Sequence, residues 1–212
     1  MAGFLGKAIR AINAAFRPLG VELHASWRVP RLVQVQYLRR VLTDWRISGI
    51  IDVGANEGQF ANFMRSEVGF KGPMLSVEPV PALAVALKNR SSNMWRIAEV
   101  AVGRERGQAT LNVAAGSQFS SLRIALEDGK GMFRGQTHTL QRTIVNVETL
   151  DTLIEENAEW LGDRIFLKLD TQGFDVEALG GLSAHLPKVS VIQSEASFVS
   201  IYEGAPLFAE TI

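Results

Sequence analysis

Residues 50–58 read Ile50-Ile51-Asp52-Val53-Gly54-Ala55-Asn56-Glu57-Gly58. A short apolar run ends in an acid, a turn with two glycines follows, and helix-compatible sequence begins at Gln59. A strand that reopens as a helix presents bare backbone N–H groups at its tip, and glycines there let a ligand come close. About twenty residues further on, the spacing of a nucleoside-binding half-sheet, comes Leu75-Ser76-Val77-Glu78-Pro79, a second strand ending in an acid. A glycine turn after one strand and a carboxylate after the next hold, respectively, the linking group and the ribose hydroxyls of a nucleoside.

A dinucleotide fingerprint requires G-x-G-x-x-G, whose middle glycine admits a pyrophosphate. Asn56 stands at that place. The expected ligand is therefore a nucleoside without a pyrophosphate. S-adenosylmethionine fits, and a nicotinamide-dependent dehydrogenase is disfavoured.

Working outward, strands and helices alternate. Strands are expected near 49–53, 74–77, 95–102, 165–169 and 189–192, with helices near 57–67, 81–90, 151–160 and 174–185. Pro81 suits a first helical turn. This alternation predicts an α/β fold, a mostly parallel sheet with helices on both faces. Residues 107–147 break the pattern. Ala109–Val113 and Thr143–Val147 have the period of strands, and the Ser-, Gly- and Arg-rich connection between them is expected to be a lid or binding loop, with protease protection by ligand expected near Gly129–Gly135. Ser120 and Ser121 lie in it, either ordering the loop over a ligand or simply on its surface.

Ahead of the sheet, residues 1–46 read as a helical, basic N-terminal arm on a domain spanning 47–212. Helices are expected near 3–16 and 31–45, the second with a buried stripe of Leu32, Val35, Leu38, Leu42 and Trp45. Residues 1–50 hold eight lysines and arginines against two acids, although the whole chain has 22 of each. Such an arm either touches an anionic membrane face peripherally or packs on its own acidic domain. No apolar run is long enough for a transmembrane helix. The absence of cysteine excludes disulfides, thiolate zinc sites and cysteine nucleophiles, and is compatible with a cytoplasmic protein. His24, His138 and His185 are the only histidines, and none is paired at metal-ligand spacing. Neither a metal nor a nucleic-acid partner is expected.

Several further blocks join the first. They are Ala101-Val102-Gly103, Ser120-Ser121-Leu122, Val147-Glu148-Thr149-Leu150-Asp151, Leu167-Lys168-Leu169-Asp170-Thr171-Gln172-Gly173-Phe174, and Glu195 followed by Tyr202-Glu203-Gly204. In order and spacing, together with Ile51–Gly58 and Val77-Glu78-Pro79, they resemble the FkbM family of S-adenosylmethionine-dependent methyltransferases over roughly residues 47 to 210. The resemblance implies a Rossmann-like class I methyltransferase fold and O-methylation of a hydroxyl on a sugar, glycolipid or polyketide-like acceptor. It also implies two further strands after the one near 189–193. The chain ends at Ile212, so those C-terminal strands are expected to be missing.

By resemblance, Asp52 and Gly54 face the methionine part of the cofactor, though Asp52 also suits a turn cap. Asn56 either supplies an amide to the same ligand or tolerates a left-handed backbone; Gly58 completes the turn. Glu78 binds both ribose hydroxyls or else faces the dipole of the next helix. Glu99 or its neighbours lie beside the adenine. Lys168 sits in an apolar strand and needs a partner. Alternation puts Lys168 and Asp170 on one face, and Glu195 ends a neighbouring strand. The three are expected to converge as the catalytic cluster, with Asp170 handling the acceptor proton; the alternatives are a structural ion pair and a divalent ion between Asp170 and Glu195. The competing functional class is a catalytically inert cofactor-binding or interaction protein.

Overall fold

The structure is a computed structural model that describes residues 12–20, 26–126 and 135–211. The expected helix near 3–16 and the segment Gly129–Gly135 fall largely outside these residues. The chain divides into two compact units, Met1–Arg40 and Val41–Ile212. In the first, described residues 12–16 are helical, and a longer helix, Val29–Asp44, runs across the boundary with Val35 and Leu38 buried. Trp45, expected in that buried stripe, lies past the last helical residue and is 53% exposed.

The second unit is built on five parallel strands: β1 (Gly49–Val53), β2 (Met74–Val77), β3 (Trp95–Ala98), β7 (Ile165–Leu169) and β8 (Val189–Gln193). Their order is β3-β2-β1-β7-β8. The chain winds outward from β1 to β3 and then restarts on the other side with β7. This reversal leaves a crevice at the carboxyl ends of β1 and β7, because the loops leaving them diverge.

Strand alternation explains the helices on both faces. Ile51, Val53, Leu75, Val77, Leu167 and Leu169 pack with Leu150, Leu153, Ile154, Leu161 and Ala178 from the helices Leu150–Glu156, Ala158–Leu161 and Asp175–Leu179. On the opposite face, Phe166 stacks on Phe60 of the helix Gln59–Phe63 at 6.2 Å. That helix continues as one wider π-helical stretch, Met64–Val68. Each fully buried aliphatic or phenylalanine side chain contributes roughly 1.5–3 kcal/mol of transfer free energy, so β1, with all five residues buried, anchors both layers.

Two expectations are corrected. The strand expected over 95–102 breaks at Glu99 and Val100: β3 stays in the main sheet, whereas β4 (Ala101–Val102) joins β5 (Gly107–Ala114) and β6 (Thr139–Glu148) in a second sheet ordered β4-β6-β5. The helix expected to reach 185 stops at Leu179, and Gly180-Gly181 follows it. Gly181 lies so close to the Gly103 carbonyl that a Cβ would sit 2.3 Å from that oxygen. The strands expected over Ala109–Val113 and Thr143–Val147 are present and form a long antiparallel pair, whose inner side chains Leu111, Val145 and Val147 share a core with Val80 and Ala101.

Candidate functional site

A cleft with an empty volume of about 630 Å³ opens at the strand-order reversal. Its floor comes from the loops after β1, β2 and β7, through Gly54, Asn56, Glu78, Asp170 and Gln172. Val100, Ala101 and Val102 form an apolar wall with Leu111 and Leu122, and Ser117, Gln118, Ser120 and Ser121 line it from the hairpin connection.

Glu78 follows the last residue of β2 and is 4% exposed. Its Oε2 accepts the Asn56 N–H at 2.7 Å and its Oε1 accepts the Val80 N–H at 2.8 Å. Each oxygen thus retains a lone pair for a further donor. Burial pushes the Glu78 carboxyl above the usual glutamate range, against the pull of the two backbone donors. Asn56 holds its N–H toward Glu78 in a left-handed backbone, φ 50°, and its side-chain oxygen accepts from the Ser117 hydroxyl at 3.0 Å. Asn56 therefore links the floor to the hairpin connection.

The two glycines of the first turn serve the fold. A Cβ on Gly54 would lie 1.9 Å from the Asp170 carbonyl oxygen, so this glycine lets β1 and β7 leave the sheet side by side. Gly54 still lines the cleft. Gly58 does not; a Cβ there would meet Leu87 at 2.9 Å and Trp95 at 3.3 Å, under the helix it precedes.

Asp52 is displaced from its expected role. It is fully buried, paired across the sheet with Lys168 in register, and absent from the cleft lining. The Lys168 ammonium lies 3.0 Å from Asp52 Oδ1 and 3.3 Å from Asp170 Oδ2, and donates to the Gly54 carbonyl at 3.3 Å. The Phe60 ring covers it at 5.6 Å. Burial opposes the ammonium charge, but Asp52 and Asp170 together outweigh it and raise the lysine. Burial raises Asp52 too, with Lys168 opposing; one cation facing two carboxylates keeps its proton.

Lys168 and Asp170 share a face, and only Asp170 reaches the cleft. Glu195 joins through Gln172, whose amide donates to Asp170 Oδ1 at 2.7 Å and lies 3.5 Å from Glu195 Oε2. No ion pair joins Lys168 to Glu195 among the described residues. Burial raises the Glu195 carboxyl, and the charges of Asp170 and Asp175 add to that. Glu99 pairs with Lys88 at 2.6 Å on the surface, and its neighbours Val100–Val102 form the cleft wall instead.

Gln172 follows β7 at the turn where the sequence makes acceptor contacts plausible. Gln172, like Asn56, has a left-handed backbone, φ 55°; such strain in a non-glycine residue persists only where its surroundings hold it. Its carbonyl accepts from Ser121 Oγ at 2.9 Å, and its side-chain oxygen lies 3.1 Å from the Tyr202 hydroxyl. That hydroxyl is also 3.1 Å from the Phe119 carbonyl. Asp175, 5% exposed, accepts from Thr171 N–H and from Ser194 Oγ, tying the β7 loop to the end of β8. Arg123 donates to the Gly173 carbonyl at 2.7 Å and pairs with Glu177. The described part of the expected lid is thus joined to the floor at Asn56 and Gln172, and to Tyr202 through the Phe119 carbonyl. Tyr202 stood in a quoted block of sequence; Arg123 stood in none. Among the described residues no group of three His, Cys, Asp or Glu could hold a metal ion.

Residues 52–212 match the methyltransferase FkbM domain family. The chain belongs to that family. The crystal structure of the methyltransferase FkbM from Methylobacillus flagellatus KT, at 2.20 Å resolution, is similar at 16% identity with a TM-score of 0.38. The likeness covers 64% of this chain and 28% of that one, so this FkbM-family chain spans well under half of that protein. No curated protein matches it.

Proposed function

We propose that this FkbM-family protein is an S-adenosylmethionine-dependent O-methyltransferase acting in the cytoplasm on a hydroxyl of a sugar, glycolipid or polyketide-like acceptor. The observation that carries the reading is Glu78: a buried carboxylate in the cleft whose oxygens are each held by one backbone N–H and keep one lone pair open. That is the pair of acceptors a ribose diol fits. Val100, Ala101, Val102 and Leu111 offer an apolar slot of the kind an adenine fills. Gly54 and Asn56 would hold the amino-acid end.

The bound cofactor supplies an electrophilic methyl group on sulfonium. The chain's task is to bring the acceptor oxygen into line and to remove its proton. Asp170 suits both. Lys168, from outside the cleft, and Gln172, on its floor, fix its two oxygens, so the carboxylate orients an acceptor O–H without rotating. Ser120, Ser121 and Gln172 add polar groups on the same side. A divalent ion between Asp170 and Glu195 would have to share the Asp170 carboxylate with the Lys168 ammonium, which disfavours it.

The full chain should bind S-adenosylmethionine and S-adenosylhomocysteine in titration calorimetry and transfer labelled methyl to a component of a cell extract. Asp170→Asn should cut transfer by about 10²–10⁴-fold with cofactor affinity nearly unchanged. Tighter binding of NAD would overturn the cofactor. Full transfer in Asp170→Asn would remove Asp170 from the chemistry, and cofactor binding with no transfer to any extract would favour an inert binding protein.

A further inference from the structure

The helix Val29–Asp44 has two apolar sides with different fates. Val35 and Leu38 are buried on one. Val29, Val33 and Tyr37, spaced by four, fall within an arc of about 80° on the other side. There Val33 is 59% and Tyr37 66% exposed, and Trp27, just before the helix, is 78% exposed. Exposed apolar residues scattered singly are ordinary; a continuous stripe with a tryptophan at its head marks a binding surface.

The charge of the same stretch narrows what binds. Residues 23–43 contain Arg28, Arg31, Arg39 and Arg40 and no Asp or Glu. The Arg28 guanidinium lies over the Trp27 ring, 5.7 Å from its centre. An apolar protein groove would use the stripe but not the arginines, and an acidic polymer the arginines but not the stripe. A layer of anionic headgroups over acyl chains uses both. Tryptophan and tyrosine are the side chains that favour the boundary between them. No described helix is long and apolar enough to cross a membrane.

We propose that the N-terminal unit is a peripheral membrane-binding element that lies on an anionic lipid surface, with Trp27, Val33 and Tyr37 at headgroup depth and with Arg28, over the Trp27 ring, and Arg40, within the same arc of the helix, toward the lipid phosphates. The inference is independent of methyl transfer. An acceptor carried on a lipid would meet the enzyme at such a surface.

The test is sedimentation of the full chain with vesicles. Binding is expected to phosphatidylcholine vesicles containing phosphatidylglycerol and not to phosphatidylcholine alone, and added salt should release it. Arg28→Gln should weaken binding about fivefold, the share of one basic side chain at an anionic surface. Val33→Glu should abolish it. Ile144→Glu, an equally exposed apolar position on β6 at 69%, should leave it unchanged. Equal binding to neutral vesicles, no binding at low salt, or equal loss in Ile144→Glu would each overturn the proposal. So would self-association without vesicle binding that disappears in Val33→Glu, which would assign the stripe to a second copy of the chain. The salt arm uses the unaltered protein and does not depend on how a variant folds.

Discussion

Asp52 and Glu78 are carboxylates at the ends of neighbouring strands, and the protein neutralises them in opposite ways. Asp52 faces an ammonium, Lys168, at 3.0 Å and has no exposed surface. Glu78 faces two backbone N–H groups and lines the cleft. A lysine meets the acid's charge and seals it in. Backbone amides satisfy one lone pair per oxygen and leave the charge available to a ligand. The kind of partner therefore separates an acid that holds strands together from one that can hold a substrate. Asp170 stands between the two cases: Lys168 touches it as well, yet it opens on the cleft.

Breaking the sealed side should have the largest effect. Lys168→Met leaves Asp52 buried beside no cation and should cost about 3–5 kcal/mol of stability in denaturant unfolding. Adding Asp52→Asn should recover a large part of that loss, since the penalty is an uncompensated charge. If the double variant is no more stable than the single one, Asp52 is not held by its charge pairing and the contrast with Glu78 fails.

On the open side, Glu78→Ala should weaken S-adenosylmethionine binding by about 1.5–3 kcal/mol, the range for hydrogen bonds to a charged group. Stability should fall too, because the Asn56 and Val80 N–H groups lose their acceptor. Unchanged affinity would make Glu78 as structural as Asp52. The pH dependence follows from the raised Glu78 carboxyl. A group raised on folding takes up its proton early as pH falls, so cofactor affinity should start to decline above the ordinary glutamate value of 4.5. Flat affinity across that range would show that the ionised form is not what binds.

Asp151 sharpens the comparison at smaller amplitude. It too is held by amides, accepting from the N–H groups of Ser183, Ala184 and His185 and from the Ser183 hydroxyl. Burial is the largest single influence and raises it, but the four donors together prevail and bring its carboxyl from 3.8 down to about 2. The same kind of donor thus accompanies opposite shifts: two donors do not offset burial at Glu78, and four do at Asp151. A depressed carboxylate stabilises the fold above its unfolded value and loses that contribution as pH falls through its folded one. Asp151→Asn should therefore cost about 1–2 kcal/mol at neutral pH, allowing for solvent screening. The difference from the parent protein should vanish between 3.8 and about 2. A difference that persists in acid would mean the amides hold the side chain by geometry alone.

Much of the fold was legible because it depends on local pattern. Apolar runs closed by Asp52, Glu78 and Asp170 mark strand ends, and the intervening helical spacing requires crossovers, hence a parallel sheet. Glu78 and Asp170 could be placed at the cleft because both end strands, where open α/β sheets carry their ligands. Lys168 could be read as a buried cation in need of a carboxylate. Its main partner could not, because Asp52 meets it only through the register of β1 against β7. Gly54 likewise announces a tight backbone, but only the packing shows that the Asp170 carbonyl occupies the space. Glu99 and Val100 sit where the chain leaves one sheet for another, so their sides are set by both sheets together. The sequence by itself determined the strand ends at Asp52, Glu78 and Asp170 and the polar residues they carry, since each is written in residues close along the chain. The tertiary structure decided which acid is sealed and which is open, because that depends on neighbours more than a hundred residues away: the lysine that closes over Asp52 comes from β7.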